Sequence, residues 1–259
     1  MDQGAAQAVS EAESEEFGTT ATWAADSIER LGPVHALPAA CQGSGSPEAL
    51  HWLCQELALQ PGRRLLDVGA GIGGPAAYAR EETGVEVDLV DPMPQACAAA
   101  ERIFGLPALV GDAGKLPLDD RGHDAAWSLG VLCTLSDQPA ALAELARVVR
   151  SGGGIGLLVF VRLAQRQRVH MPDNDFPAWR ELRDMLDDAR LDLVHEHRLK
   201  DFGAPDAGWT ARADRVHDDV RRHHLRDPRW QRAERQRKAV ETFVDEGLVE
   251  GVVLTCRVR

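Results

Sequence analysis

Apolar runs and helical repeats take turns along most of this chain. After Ser46, an N-cap residue followed by the first-turn Pro47, the apolar positions Leu50, Leu53, Cys54 and Leu57 recur at helical spacing and stop at Pro61-Gly62. From Arg63 onward, short runs at Arg64 to Val68, Glu86 to Val90, Pro107 to Val110, Asp124 to Leu129 and Gly154 to Val161 read as strands. Helical patterns at Gly74 to Glu82, Pro94 to Phe104 and Gln138 to Val149 separate them, the last ended by Ser151-Gly152-Gly153-Gly154. Strand, helix, strand in this rhythm predicts β-α-β units, a parallel sheet and an α/β fold. A helix over Phe176 to Ala189 then leads to a mixed run at Leu191 to Leu199, and Leu248 to Val258 supplies a last strand.

The flanking segments follow other patterns. Glu11, Glu13, Glu15 and Glu16 make the start acidic, and residues 1–17 are expected to fray as a flexible tail. Ala21 to Leu31 predicts a short helix, while Pro33, Pro38, Gly43 and Gly45 break Gly32 to Ser46 into an ordered loop. Residues 18–60 thus form a helical and loop cap, and residues 61–259 the main domain. Trp209 to Val244 is long, helical in composition and interrupted only by Asp227-Pro228, so about 204–245 reads as a one- or two-helix insertion on the substrate side. Its many arginines alternate with Asp214, Asp218, Asp219, Asp227 and Glu234, the pattern of a solvated face laced with weak ion pairs. An anion-binding lid is the sharper alternative.

Composition narrows the partners. A chain of 259 residues with 44% apolar and 27% charged positions can bury a full core, and no apolar stretch approaches the roughly 18 residues of a membrane span. A formal charge of −12 repels phosphate backbones, which favours a small molecule over nucleic acid. The five cysteines lack C-x-x-C spacing, so neither a zinc site nor a disulfide framework is expected, and the start resembles no signal peptide. A cytoplasmic protein without a metal is the expectation.

The chemistry concentrates after the first strand of the sheet. Gly69, Gly71 and Gly74 satisfy G-x-G-x-x-G, a pattern shared by dinucleotide enzymes and other nucleoside binders. Glycine serves there because the backbone must turn sharply and admit a ligand where a Cβ would stand. Asp67, two residues earlier, suits a ligand with an ammonium group and opposes a pyrophosphate. S-adenosylmethionine is such a ligand. Asp91 closes the next strand, where a carboxylate can accept from both ribose hydroxyls. Met93 offers a polarizable face to an adenine, and Asp112-Ala113 places a carboxylate near its amino group.

In this order and spacing, DVGAGIGG, VDLVDPM, GDAGKLPL and WSLGVLCTL resemble the successive motifs of class I S-adenosylmethionine-dependent methyltransferases, over roughly Pro61 to Val161. The resemblance implies a Rossmann-like fold: a mostly parallel seven-stranded sheet with helices on both faces, N-terminal helices and a helical insertion before the last strand. It further implies that Asp67, Gly69, Ala70 and Gly71 hold the methionine part, Asp91 the ribose, and Met93, Asp112 and Ala113 the adenine, with Pro92 also at the cofactor. Ser128, Leu129 and Gly130 would flank the sulfonium. The nearest flavour is the branch acting on small molecules such as amines, quinones, tocopherols and polyketides. One departure stands out: many relatives carry histidine after the fourth strand, where this chain has Val131-Leu132-Cys133-Thr134.

The expected function is methyl transfer to an oxygen, nitrogen or carbon of a small-molecule acceptor. The alternatives are a cofactor-binding enzyme of the same fold that does not methylate, and a nicotinamide-dependent oxidoreductase or nucleotide sensor. His170 and His35 are the candidate bases, both with a bland reading as solvated residues. Cys133 reads as a packed thiol more than an acceptor contact, and Trp179, Trp209 and Trp230 as possible apolar walls.

Overall fold

The computed structural model describes residues 3–163, 171 and 174–259. Seven strands, β1 (Arg64–Val68), β2 (Glu86–Asp91), β3 (Ala108–Val110), β4 (His123–Leu129), β5 (Val149–Arg162), β6 (Leu191–Arg198) and β7 (Val249–Val258), form one sheet in the order β3-β2-β1-β4-β5-β7-β6. The pairs β1/β2, β1/β4, β2/β3 and β4/β5 are parallel, whereas β7 runs antiparallel to both β5 and β6. The strand order reverses between β1 and β4. Their carboxyl ends therefore splay the following connections to opposite sides and leave a crevice, which is where open α/β sheets bind ligands.

Alternation along β1 explains why both faces are covered. Leu66 and Val68 point into a core with Ala126, Ile155 and Leu157, closed by α6 (Gln138–Val148) and α7 (Trp179–Asp188). Leu65 points the other way, with Ala125 and Trp127, against α3 (Pro47–Glu56) and α4 (Gly74–Thr83). On the same strand Asp67 is only 2% exposed, a carboxyl in a position that period-two patterning would fill with an apolar side chain. The helix α5 (Pro94–Phe104) packs Ala100 against Ala76, Ala77 and Leu89.

Several boundaries differ from the sequence reading for identifiable reasons. The first helix, α1, runs Gln3–Leu31 instead of starting near Ala21, because alanine and glutamate dominate its first turns and no proline interrupts it. Within the expected loop, Pro33–His35 form a 3₁₀ turn and Ala36–Ala40 a short helix, α2. Pro38 is tolerated because a first-turn position has no intrahelical donor to lose. Strand β5 begins at Val149, since the register jump between His123 and Ala125 lets Gly152, at φ +75°, carry a bulge without ending the strand. The Asp227-Pro228 interruption separates α8 (Ala207–His224) from α9 (Pro228–Asp245), and Asp227 caps the latter by accepting from the Arg229 N–H at 2.9 Å.

The helices α1, α2, α8 and α9 meet over the carboxyl end of the sheet. Trp23, Ile28, Ala36, Val216, Val220 and Trp230 form their shared apolar cluster. Asp219 ties α8 to α1, accepting from Ser27 Oγ at 2.8 Å and Arg30 Nη2 at 2.6 Å. Against the sheet side, α2 abuts the first turn of α4 so closely that a Cβ on Gly74 would lie 2.5 Å from the Ala40 carbonyl oxygen and 2.7 Å from its Cβ. Gly74→Ala is accordingly expected to destabilise the protein by about 1–3 kcal/mol through overpacking, read from urea midpoints at unchanged slope. A midpoint equal to the parent's would show that α2 is not pressed onto α4.

Candidate active site

The crevice at the carboxyl ends of β1, β2 and β4 is a cavity of about 500 Å³. Its floor contains Gly69, Ala70 and Gly71 of the loop after β1, together with Leu129 and Gly130 at the end of β4. One side wall holds Asp91, Pro92 and Met93, and beyond them lie Asp112 and Ala113. Thus ten of the sequence-predicted cofactor residues meet in one space, while Asp67 lies buried just before the loop and does not itself line it.

The glycine loop owes its path to backbone geometry. Gly69 has φ +75°, and a Cβ there would stand 2.8 Å from Val131 Cγ1, so only glycine fits. Gly71 has φ +54° and would direct a Cβ into open space, the close approach a ligand needs. The N–H groups of Gly69 and Ala70 donate to the Val90 carbonyl at 2.8 and 3.2 Å, and Asp91 completes the fastening. Its Oδ2 accepts from the Gly71 N–H at 2.8 Å and its Oδ1 from the Met93 N–H at 2.9 Å. Burial pushes the Asp91 carboxyl up in pKa while these two donors pull it back.

Asp67 is the least satisfied group nearby. Its Oδ2 is buried without a hydrogen-bond partner among the described residues, as is the indole N–H of Trp127 opposite it on β4. Burial raises the carboxyl from 3.8 to about 7; the nearby Trp127 N–H draws it down without closing a bond, and the Asp91 charge raises it further. Such a carboxyl gains from any cation that reaches its vicinity. Asp112 serves a turn as well as a wall, its Oδ1 accepting from the Gly114 N–H at 2.6 Å.

The remaining walls come from the helical cap. Phe17, Thr20, Ala21 and Ala24 of α1 face the cavity, as do Val216, His217 and Val220 of α8 and Trp230 of α9. The turn after α2 contributes Gln42, Gly43 and Ser44, and it crosses the end of β4 so tightly that a Cβ on Gly130 would lie 2.6 Å from the Gly43 carbonyl oxygen. Of the three tryptophans considered as walls, only Trp230 takes that place; Trp209 stands edge-on to Tyr78 and Trp179 lies beneath Arg183.

His35 sits on the 3₁₀ turn with Nδ1 3.3 Å from the Gly32 carbonyl oxygen and is not among the lining residues. His170 lies outside the described residues. Cys133 is 2% exposed, its thiol pushed up to about 12 by burial, and it packs rather than faces the cavity. No arginine or lysine is found among the described lining residues. Arginines of the cap region are engaged elsewhere, Arg30 with Asp219, Arg229 with Asp227, and Arg237 with Glu234 and Glu241, which favours the ion-pair pattern over an anion-binding lid.

His217 was not singled out from the sequence. The signal was present: Ala213, Val216 and Val220 mark the buried stripe of α8, and His217 adjoins it. It was masked by the surrounding charges, which made the whole segment read as solvent-facing. Its Nε2 is 3.6 Å from Glu234 Oε2, and its ring lies 5.0 Å from that of Trp230.

Residues 66–157 match the family described as "Methyltransferase domain". An uncharacterized methyltransferase of Mycobacterium tuberculosis is 38% identical over 120 residues, covering 43% of this chain and 44% of that protein. The chain therefore aligns with less than half the length of this relative. Among solved structures, the [4+2]-cyclase SpnF superimposes with a TM-score of 0.64 at 20% identity, covering 82% of this chain and 80% of its own. Geranyl diphosphate C-methyltransferase from Streptomyces coelicolor A3(2), solved with Mg2+, geranyl diphosphate and S-adenosyl-L-homocysteine, gives 0.60 at 17% identity, with 81% and 76% covered. At such identities the superpositions establish the fold, a Rossmann-like class I methyltransferase fold.

The orphaned Asp67 oxygen, the open space at Gly71 and the two lining carboxylates, Asp91 and Asp112, fit a cationic nucleoside such as S-adenosylmethionine. The raised pKa also fixes a pH dependence. The folded protein holds the Asp67 proton more tightly than the unfolded chain, so this group's contribution makes stability fall as pH rises from about 4 to about 7 and then level off. Replacing it with a neutral amide removes that slope. Asp67→Asn is expected to gain stability relative to the parent between about pH 5 and about pH 8, measured by urea unfolding without ligand. A difference independent of pH would show that Asp67 ionises normally.

Proposed function

We propose that this chain, whose residues 66–157 match the methyltransferase-domain family, transfers a methyl group from S-adenosylmethionine to a small-molecule acceptor bound beneath its helical cap. One observation carries the reading: a single cavity joins the glycine loop and its carboxylates to an apolar chamber under α1, α8 and α9. Asp67, Gly69, Ala70 and Gly71 would hold the methionine part, Asp91 the ribose, Met93, Asp112 and Ala113 the adenine, and Leu129 and Gly130 the sulfonium side, with Pro92 beside them. When bound, the cofactor supplies an already activated methyl group.

The chain's own residues then have three tasks. The fixed loop, with Gly69 locked against Val131 and Asp91 bridging Gly71 and Met93, sets the direction of approach. The cap residues Ala24, Val216, Val220 and Trp230 exclude water and press an apolar acceptor towards the β4 end. Thr20, Gln42, Ser44 and Thr134 offer hydrogen bonds that orient it. In this reading residues 18–60 and about 204–245 are the acceptor-side additions to a domain spanning 61–259. The formal charge of −12 supports a small molecule over nucleic acid or a membrane surface as the partner. The free, buried cysteines support a reducing, cytoplasmic setting.

Calorimetry with S-adenosylhomocysteine tests the cofactor half, and mass spectrometry for that product after incubation with S-adenosylmethionine and acceptors tests the transfer. Asp67→Ala should weaken S-adenosylhomocysteine binding by about a hundredfold or more, since a buried ammonium loses its counter-charge. Unchanged affinity in a folded variant, or stabilisation by NAD(H) in place of S-adenosylhomocysteine, would overturn the assignment.

A further inference from the structure

Three titratable side chains line the cavity among the described residues: Asp91, Asp112 and His217. The two carboxylates stand at the nucleoside end and accept backbone N–H groups. His217 stands alone on the roof, between Val216 and Val220 and against Trp230, where the wall is otherwise apolar. A polar ring in that position has to be supported. Glu234 of α9 supports it, with Oε2 3.6 Å from His217 Nε2 and both side chains largely buried. Glu234 is itself held by Arg237 at 2.7 and 3.0 Å and by Lys238 at 3.3 Å, and this grip keeps its carboxyl near 2, ionised at any physiological pH.

An ionised carboxylate beside one ring nitrogen sets the tautomer of a neutral imidazole. The Glu234 charge on the Nε2 side, 3.6 Å away, favours the tautomer with the proton on Nε2 and the lone pair on Nδ1, and Nδ1 forms no hydrogen bond among the described residues. We propose that His217 is the proton acceptor for a hydroxyl-bearing, apolar methyl acceptor in this cavity, with Glu234 as its positioning residue. The inference rests on the methyltransferase reading and specifies its acceptor class. In the step, the hydroxyl oxygen gives a lone pair to the methyl carbon as the carbon–sulfur bond breaks and its electron pair stays on sulfur. The hydroxyl proton passes to His217 Nδ1. The imidazolium formed lies against the fixed charge of Glu234, and the total charge is unchanged, since the sulfonium is lost as the imidazolium appears.

The experiment uses the full chain with S-adenosylmethionine and two probes that share one apolar body, 1-naphthol and 1-naphthylamine. A neutral amine already exposes its lone pair, so it depends far less on a base than the hydroxyl does. His217→Ala and the size-conserving His217→Gln should slow 1-naphthol methylation by about a hundredfold or more and 1-naphthylamine methylation by less than about fivefold. Calorimetric affinity for S-adenosylhomocysteine should stay at the parent value. Glu234→Gln should lower kcat for 1-naphthol by about tenfold with KM unchanged, and Glu234→Asp should recover most of it. An unchanged 1-naphthol rate in a folded His217 variant, equal slowing of both probes, or no product from 1-naphthol in a parent that binds S-adenosylhomocysteine would each overturn the inference. Failure of the parent to bind S-adenosylhomocysteine would instead overturn the methyltransferase reading beneath it.

Discussion

The carboxylate of Asp91 accepts one backbone N–H from Gly71 and another from Met93, and this bridge fastens the turn after β1 to the end of β2. Everything at the site depends on it. The strand order reverses between β1 and β4, and the turn after β1 lies between Val131, which packs against Gly69, and the end of β2, which supplies its hydrogen-bond acceptors. Val90 takes the N–H groups of Gly69 and Ala70, and Asp91 takes that of Gly71, so three successive residues hang on the end of β2. The price is a carboxylate only 6% exposed, tolerable because charge-assisted bonds to N–H groups replace much of its hydration. A loop pinned in this way loses little entropy when a ligand arrives, which is what alignment of a transferable group requires.

The parallel half of the sheet was legible because its signals are local. Strand β1, Arg64–Val68, and helix α5, Pro94–Phe104, appear with the boundaries read from the sequence, since Pro61-Gly62 and Gly69 bracket the first and Pro94 and Gly105 the second. The gathering of Asp91, Met93 and Asp112 around the glycine loop follows from the β-α-β rhythm, which places successive strand ends side by side. The cap was harder to read. Helix α1 begins far earlier than apolar periodicity shows, because alanine propensity carries its start. His217 stayed hidden because it lies in a segment of arginines and aspartates, and only the packing of α8 on α1 and α2 shows which face turns inward.

That packing is fixed by a buried charge. Asp219, 7% exposed, binds Ser27 and Arg30 and so locks the rotation of α8 about its own axis relative to α1. With that rotation set, Val216, His217 and Val220 must face the cavity. Trp23 strengthens the same seam, stacked on His224 at 3.9 Å and covered by the Arg229 guanidinium at 5.5 Å. In the insertion Arg229 pairs with Asp227 and Arg237 with Glu234 and Glu241, while Asp219 takes Arg30 of α1, and no arginine is among the described residues that line the chamber.

The two buried carboxyls explain why a glycine pattern shared with dinucleotide enzymes leads to a different ligand here. The Asp91 charge raises the pKa of the buried Asp67 carboxyl, burial raises that of Asp91, and no lysine or arginine among the described residues offsets either shift. A pyrophosphate on this loop would add negative charge to a region where one carboxyl already struggles to ionise, and binding would have to carry a proton onto Asp67. A ligand bearing both an ammonium and a sulfonium has the opposite effect: it favours the ionised form of Asp67 and draws strength from a charge that is costly without it. On the proposed function, selectivity would reside less in the glycines than in the lack of a counter-ion beside Asp67 among the described residues, which a cationic ligand would supply.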